Sequence, residues 1–510
     1  MNLRYVTLRF TSRKSSIWKA GLVLIAPVIT VLLLSCGSTS ESSIPSAPTG
    51  QTPSSVGISV APASIALYSG TTTTFRATDA TGAMPSVTWS LQTIGSSYPS
   101  GLISSTGLYQ SPSPVLTPQT VIVTAALVTD SSVTAKASIS LKPLANQERQ
   151  TLPIAAGTSG NNVNTGHQCC AGTLGAVLSD EAGEQYLLSN NHILGRSGFG
   201  VPGEAILQPG NLDTLCTNQG QNQVATLTYA APLTTSNVDA AVAQVVPGAV
   251  RTDGAIIALG SPDPNGNATP APPASTPLVP SAGTTVAKSG RTSGLTCGTV
   301  TGIDVTVTVN FPATCGSTQP QTVTFTHQIM LSGSMVKDGD SGSLVVDQRS
   351  ARPIGMVAGL SGDGSYATAN PISDVLSALS SGTGHTFSIV GGVDRAISCL
   401  GATTGMAFSG SASPLNVSIE SFQRLQSVKK TAEDAFKQNP YVLAIGLDRS
   451  DGGLGLPNEI VFFVDSADRS FQVPNELGGF SVRKIITRPF STPVAATQRA
   501  CSKLSLLSRF

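Results

Sequence analysis

Between Val56 and Leu141 the chain carries short runs that favour extended backbone. They are Ile58-Ser59-Val60, the alternation Thr73, Phe75, Ala77, then Val87-Thr88-Trp89-Ser90, Val121-Ile122-Val123-Thr124 and Ala137-Ser138-Ile139-Ser140-Leu141. Turn-forming residues separate the runs. The pattern predicts half-buried strands and hence a β-sandwich over residues 55–145. No group there carries chemistry. The segment reads as a spacer, with an adhesive or carbohydrate-binding module as the functional alternative. After a break near Asn146–Asn164, strands are predicted at Gly172–Leu178 and at Gln185–Asn190. The period then changes. Phe422, Leu425, Val428, Ala432, Ala435 and Phe436 fall at helical spacing within Ile419–Asn439. Strands are predicted to follow at Val442–Leu447, Glu459–Val464 and Phe480–Ile486, which makes 400–510 a small α+β domain. The fold class expected is mainly β.

Composition narrows the function. A chain of 510 residues exceeds the usual single-domain limit of about 250, so several domains are expected. Charged residues make up 11%, against roughly 25% in an average soluble protein. The net charge of +1 argues against a nucleic-acid binder, and 40% hydrophobic residues argue against global disorder. Four His and eight Cys leave little room for a metal cluster. Neither a metal nor a cofactor is expected.

The first 35 residues are a basic start followed by an apolar run, Ala20 to Leu34, too short for a membrane span of about 20 residues. The run ends Leu33-Leu34-Ser35-Cys36-Gly37, which resembles the lipobox of bacterial lipoproteins. The resemblance implies that residues 1–35 are a removable signal and that Cys36 becomes the lipidated first residue. Export to the cell envelope, on the outer membrane where there is one, then follows. Loss of Arg4, Arg9, Arg13, Lys14 and Lys19 with the leader leaves a mildly acidic chain. Residues 36–54, rich in Ser, Thr, Pro and Gly, read as a flexible tether. The stretch after it resembles bacterial immunoglobulin-like domains, through the Trp89 strand and Ile103-Ser104-Ser105-Thr106-Gly107-Leu108-Tyr109.

Three local signals carry chemistry. His192 stands at the end of an apolar strand in Ser189-Asn190-Asn191-His192-Ile193-Leu194. Asp239 heads an apolar strand in Ser236-Asn237-Val238-Asp239-Ala240-Ala241-Val242. A carboxylate there is poorly solvated and needs a partner, which an imidazolium supplies. Lys337-Asp338-Gly339-Asp340-Ser341-Gly342-Ser343 precedes a β run. Its glycines allow a tight turn that exposes a hydroxyl and aims N–H groups at one point. Each signal alone is weak; the ordered set is not.

With these motifs the region from about Ala155 to Leu379 resembles trypsin-like (chymotrypsin-fold) serine peptidases, nearest to the forms that carry Ser-Asn-Asn-His. Lys288–Val300, Thr324–Ile329, Pro353–Gly359 and Ala369–Leu376 resemble further family segments. The resemblance implies two six-stranded barrels over 150–395 with the site between them. It also implies a triad of His192, Asp239 and Ser341, and an oxyanion hole from the N–H groups of Gly339 and Ser341. Asp340 would support the nucleophile loop. There is no Arg-Ile-Val-Gly-Gly start before His192, and Ile389-Val390-Gly391-Gly392 reads as chance. Arg291 is therefore the candidate partner for Asp340. Met335 matches the position that sets specificity, which argues for an apolar or small residue before the scissile bond. Val357, Ala358 and Gly359 would line the same pocket. His327 is either a core-strand residue or a pocket residue for acidic substrates. His167 and His385 read as loop residues. Cys297 with Cys315, flanking a hairpin at Thr299–Asn310, is the disulfide expected first. Cys216 with Cys169 or Cys170 would bridge the first barrel, and Cys399 with Cys501 is an alternative in the last domain. The function implied is a surface-tethered serine endopeptidase acting on polypeptides. The alternative is a catalytically silent trypsin-fold lipoprotein used for binding or adhesion.

Overall fold

The computed structural model describes residues 57–493, apart from 70, 96–98, 113–114, 116–117, 166–167, 169, 215, 217–219, 262–268 and 400–416. The signal 1–35, Cys36, the tether, His167, Cys169 and Cys501 lie outside the described residues. Among the described residues the chain is mainly β.

The first strands form three small sheets. Ile58–Ala61 pairs with Arg76–Asp79. Ser64–Tyr68, Thr134–Lys142, Gln119–Leu127 and Val87–Ile94 form a sheet in that order, and Thr72–Thr74, Leu108–Gln110 and Leu102–Ile103 form the third. Strict alternation buries Val121, Val123 and Ala125 on one strand and Ala137, Ile139 and Leu141 on its neighbour. They close over Phe75 and Tyr109, whose rings meet edge to face at 6.3 Å. The segment contains no cysteine, so packing alone holds it, each large buried side chain contributing about 1.5–3 kcal/mol.

Eight strands follow in one sheet, in the order Gly172–Leu174, Thr158–Asn162, Ala205–Gln208, Asn222–Ala230, Ala241–Val245, Gln185–Ser189, Ala176–Ser179 and Ser388–Ile389. Gly172–Leu174 and Ala176–Ser179 are two pieces of one strand broken at Gly175, so the sheet curls and closes. The Ile389-Val390 string thus has a structural place: Ile389 lies opposite Leu178.

A second sheet runs Thr285–Gly290, Leu344–Asp347, Pro353–Ser361, Tyr366–Pro371, Gln321–Ser332 and Gly294–Phe311. The last of these pairs back onto the first, closing six strands. Leu178, Leu188 and Val242 of the first sheet share one apolar core with Val346 and Met356 of the second. The helix Ile372–Thr383 adds Ile372, Val375 and Leu379 to it.

Gly294–Phe311 does not match the expected hairpin at Thr299–Asn310. It is a single strand of 18 residues. Gln321–Ser332 holds one edge. The other edge is shared in turn by Thr285–Gly290, by Val442–Asp448 opposite Ile303 to Val307, and by Phe490–Ser491 opposite Val309 and Asn310. The C-terminal strands Val442–Asp448, Glu459–Asp465 and Phe480–Thr487 therefore continue the second sheet. The helix Ile419–Phe436 lies on their outer face through Leu425 and Ala432. Its first turn is capped by Ser418, whose Oγ accepts from Ser421 N–H at 3.1 Å.

The cysteine pairing expected first is overturned for the same reason. Extended backbone rises about 3.3 Å per residue, so the strand Gly294–Phe311 carries the chain from Cys297 far away before it reaches Cys315, four residues past the strand's end. Cys297 instead bonds Cys399, with Cα atoms 6.2 Å apart, and Cys315 bonds Cys170, with Cα atoms 5.5 Å apart. Cys170 is thus not the partner of Cys216, and Cys399 is not the partner of Cys501. Cys216 is itself disulfide-bonded.

Candidate active site

The segment Ser189-Asn190-Asn191-His192 leaves the strand Gln185–Ser189 and enters the single turn Asn191–Leu194. Each polar residue before the histidine has a fixed task. Ser189 Oγ donates to Thr173 O at 2.6 Å, Asn190 Nδ2 to Asp239 O at 2.7 Å and Asn191 Nδ2 to Ala231 O at 2.7 Å. Buried amides and hydroxyls that find partners define one geometry, because leaving any unpaired costs about 1–3 kcal/mol. His192 Nδ1 is hydrogen-bonded to Asp239 Oδ2, and His192 N–H donates to Asp239 Oδ1 at 3.1 Å. Both carboxylate oxygens are thereby used, and Asp239 is fully buried. Asn370 Oδ1 accepts from Asp239 N–H at 3.0 Å, while Asn370 Nδ2 donates to Gln328 Oε1 at 2.6 Å. The second sheet thus steadies the aspartate of the first. His192 is 3% exposed, its ring lies 6.1 Å from that of Phe311, and its Nε2 has no hydrogen-bond partner among the described residues.

Ser341 lies in the turn between Gly333–Met335 and the strand Leu344–Asp347. The turn is packed against the first sheet: Thr173 N–H donates to Ser341 O at 2.8 Å, and Thr173 Oγ1 to Gly339 O at 3.0 Å. Gly342 has φ +89°, and a Cβ there would overlap Ser189 Oγ and Thr173 O. A Cβ on Gly175 would overlap Gly342 O. The break in the first-sheet strand at Gly175 is thus where the two backbones meet.

Asp340 is completely buried beneath the turn. The expected partner, Arg291, is not its partner. Arg291 sits in the turn after Thr285–Gly290 and forms a two-pronged pair with Asp213, Nη2 to Oδ1 at 2.6 Å and Nε to Oδ2 at 2.7 Å. Lys288, on the strand itself and wholly buried, reaches Asp340 Oδ2 at 3.0 Å. The Asp340 carboxylate also accepts from Ser293 Oγ and from the N–H groups of Lys337, Thr292 and Ser293, the last three at 2.9, 2.9 and 3.1 Å. Burial pushes this carboxyl up. The Lys288 ammonium and the converging donors outweigh it and hold the group below the usual aspartate value. An internal lysine thus fixes the Ser341 turn.

The turn is occupied. Phe490–Ser491 runs antiparallel to Leu360–Ser361 and parallel to Val309–Asn310, and Thr492 N–H donates to Asn310 O at 3.0 Å. One residue further on, Pro493 O accepts from Gly339 N–H at 2.8 Å and from Ser341 Oγ at 3.3 Å. One carbonyl oxygen therefore meets both the main-chain donor and the hydroxyl expected to act together.

The residues expected to set specificity separate. Met335 and Val357 are buried in the apolar core of the second barrel, with Val286, Val300 and Ile354. Ala358 and Gly359 lie on the same strand as Val357, next to the tail's partner Leu360. The His327 side chain is 60% exposed and is bound to Asp374 Oδ2 at 2.7 Å. That contact with Asp374 raises its pKa against the opposing effect of burial. His327 is thus neither a core-strand residue nor joined to the Ser341 turn. His385 is half exposed beside Glu181. Sequence reasoning missed Lys288, Asn370 and Pro493. Only Lys288 left a signal, a lone charge in the otherwise uncharged strand Thr285–Gly290.

No family model and no curated protein matches the sequence. Among solved structures the chain is similar to a glutamic acid specific serine protease described as using a histidine triad in substrate binding. The identity is 17% and the TM-score 0.32, over 46% of this chain and all of that one. It is also similar to a Nocardiopsis protease, at 18% identity and TM-score 0.30 over 46% and 98% of the two chains. A Cellulomonas bogoriensis chymotrypsin is a third, at 19% identity and TM-score 0.28 over 44% and 95%.

Proposed function

We propose that the chain is a serine endopeptidase. The observation that carries this reading is the convergence at Ser341. Its hydroxyl and the Gly339 N–H meet on one peptide carbonyl, while His192 is oriented through Nδ1 by the buried Asp239.

The chemistry follows from the groups. Ser341 Oγ attacks the scissile carbonyl carbon and passes its proton to His192 Nε2. Asp239 holds the tautomer with Nε2 free to accept, and stabilises the imidazolium that forms. Charge growing on the carbonyl oxygen is met by Gly339 N–H; loss of one such donor typically costs about 3 kcal/mol of transition-state stabilisation. His192 then gives the proton to the leaving amine, and water hydrolyses the ester on Ser341. The substrate lies as an added strand on Leu360–Ser361, the mode in which main-chain hydrogen bonds give affinity whatever the side chains. The Lys288–Asp340 pair keeps the turn in place throughout.

The lipobox-like Leu34-Ser35-Cys36 supports placing the enzyme on the outer face of a bacterial membrane, with residues 36–54 as its tether and the sandwich as a spacer. The enzymatic reading is tested by hydrolysis of a mixed peptide pool. The full chain cleaves it, and the Ser341→Ala chain loses about 10⁶-fold in turnover. Equal rates for the two would end the proposal.

A further inference from the structure

We infer that the first substrate of this site is the chain's own C-terminal segment, cut between Pro493 and Val494; the inference rests on the peptidase reading above. Three independent contacts place Phe490 to Pro493 as a substrate is placed. The segment adds a strand antiparallel to Leu360–Ser361. It is pinned on the other side by Asn310, whose carbonyl accepts from Thr492 N–H at 3.0 Å. Its last described carbonyl, that of Pro493, lies 2.8 Å from Gly339 N and 3.3 Å from Ser341 Oγ. The first of these distances is the one a preorganised donor needs to stabilise an oxyanion.

The placement is anchored rather than casual. Phe490 is fully buried and meets Phe463 edge to face at 6.3 Å. Gly362 N–H donates to Pro489 O at 3.1 Å. Upstream, Thr487 Oγ1 donates to Asp363 Oδ1 at 2.9 Å. A segment tied at Thr487, Pro489, Phe490 and Thr492 is held at high effective concentration, so its own bond reacts before any bond on a second molecule.

The step balances. Ser341 Oγ bonds to the Pro493 carbonyl carbon and its proton moves to His192 Nε2, which has no hydrogen-bond partner among the described residues. The Pro493–Val494 C–N bond breaks, and the Val494 nitrogen takes the proton. One water then hydrolyses the Ser341 ester, leaving a Pro493 carboxylate and the restored hydroxyl. The products are a chain ending at Pro493 and the separate peptide that begins at Val494. The substrate class assigned is a polypeptide with proline at the attacked carbonyl.

The test is the intact mass and C-terminal sequence of the full chain, purified beside Ser341→Ala. The expected result is a wild-type chain that ends at Pro493 and a Ser341→Ala chain that keeps residues 494–510. A wild-type chain that keeps 494–510, a cut at another bond, or the same cut in Ser341→Ala overturns the inference. A Thr492→Pro chain, which lacks the N–H bound to Asn310, separates this failure from that of the peptidase reading. If the wild type stays whole while Thr492→Pro takes a fluorophosphonate on Ser341, self-cleavage falls and the peptidase stands. A whole chain with no adduct in either form removes both.

Discussion

The two barrels finish differently. The first closes on itself and ends, its last strand being the two residues Ser388–Ile389. The second closes where Thr285–Gly290 pairs with the start of Gly294–Phe311, Gly290 opposite Gly294, and then overruns: this 18-residue strand carries an unused edge past the barrel. The C-terminal strands add to that edge, and the chain returns along it to Ser341. The barrels also differ in what they bury. The first surrounds His192 and Asp239 with amides: Asn190, Asn191 and, from the second sheet, Asn370. The second sets the Ser341 turn on a charge pair, Lys288 and Asp340. Amide networks fix orientation without changing net charge, which suits the proton transfers proposed for His192. An ion pair holds a turn that has only to stay still.

Substitutions on the two sides should therefore fail in different ways. Asp239→Asn takes the acceptor from His192 Nδ1 and should lower turnover by roughly 10⁴-fold, the cost of a wrongly set imidazole tautomer. Its melting curve should change far less than its rate, which steady-state kinetics beside thermal denaturation will show. Lys288→Met should do the reverse. It strands a buried carboxylate, and breaking such a pair costs about 3–5 kcal/mol, visible as a lower denaturant midpoint before any kinetic assay. Comparable stability losses for both variants would erase the contrast between the barrels.

Acid sharpens the same contrast. The folded-state pKa of Asp340 lies below the ordinary 3.8. A depressed carboxyl contributes stability that is complete above the unfolded value and is lost as pH falls through the folded one. Stability of the wild type should therefore hold down to about the ordinary aspartate range and fall below it, and Lys288→Met should bring that fall to higher pH. The smallest effect belongs to His327, far exposed and bound to Asp374. Its raised pKa gives a contribution present below the ordinary 6.5 and lost as pH rises through the folded value. His327→Gln should remove this slight pH dependence in denaturation midpoints and leave turnover alone.

What could be read from the sequence follows from how local each feature is. His192, Asp239 and Ser341 each stand in a short motif whose neighbours do local work. Ser189 and Asn190 tie the backbone, and Gly342 allows the turn. The helix Ile419–Phe436 shows through its period because one face of it is buried, and Val442–Asp448 and Glu459–Asp465 show as apolar runs because both of their faces are buried. Lys288 and Arg291 stand only three residues apart. Strand geometry turns position 288 into the barrel while the following turn carries 291 toward Asp213. The cysteine pairs were hidden by the length of Gly294–Phe311, which no local pattern distinguishes from a hairpin. The return of Phe490 to Pro493 had no signal, since its partners Asn310, Gly339 and Leu360 lie well over a hundred residues away in sequence.

The most direct measurement is the site of fluorophosphonate modification, mapped by peptide mass spectrometry on the full chain and on Thr492→Pro. The account predicts an adduct on Ser341 that disappears in His192→Ala. No adduct on Ser341 in either folded chain, or one that survives the loss of His192 undiminished, would contradict a serine peptidase.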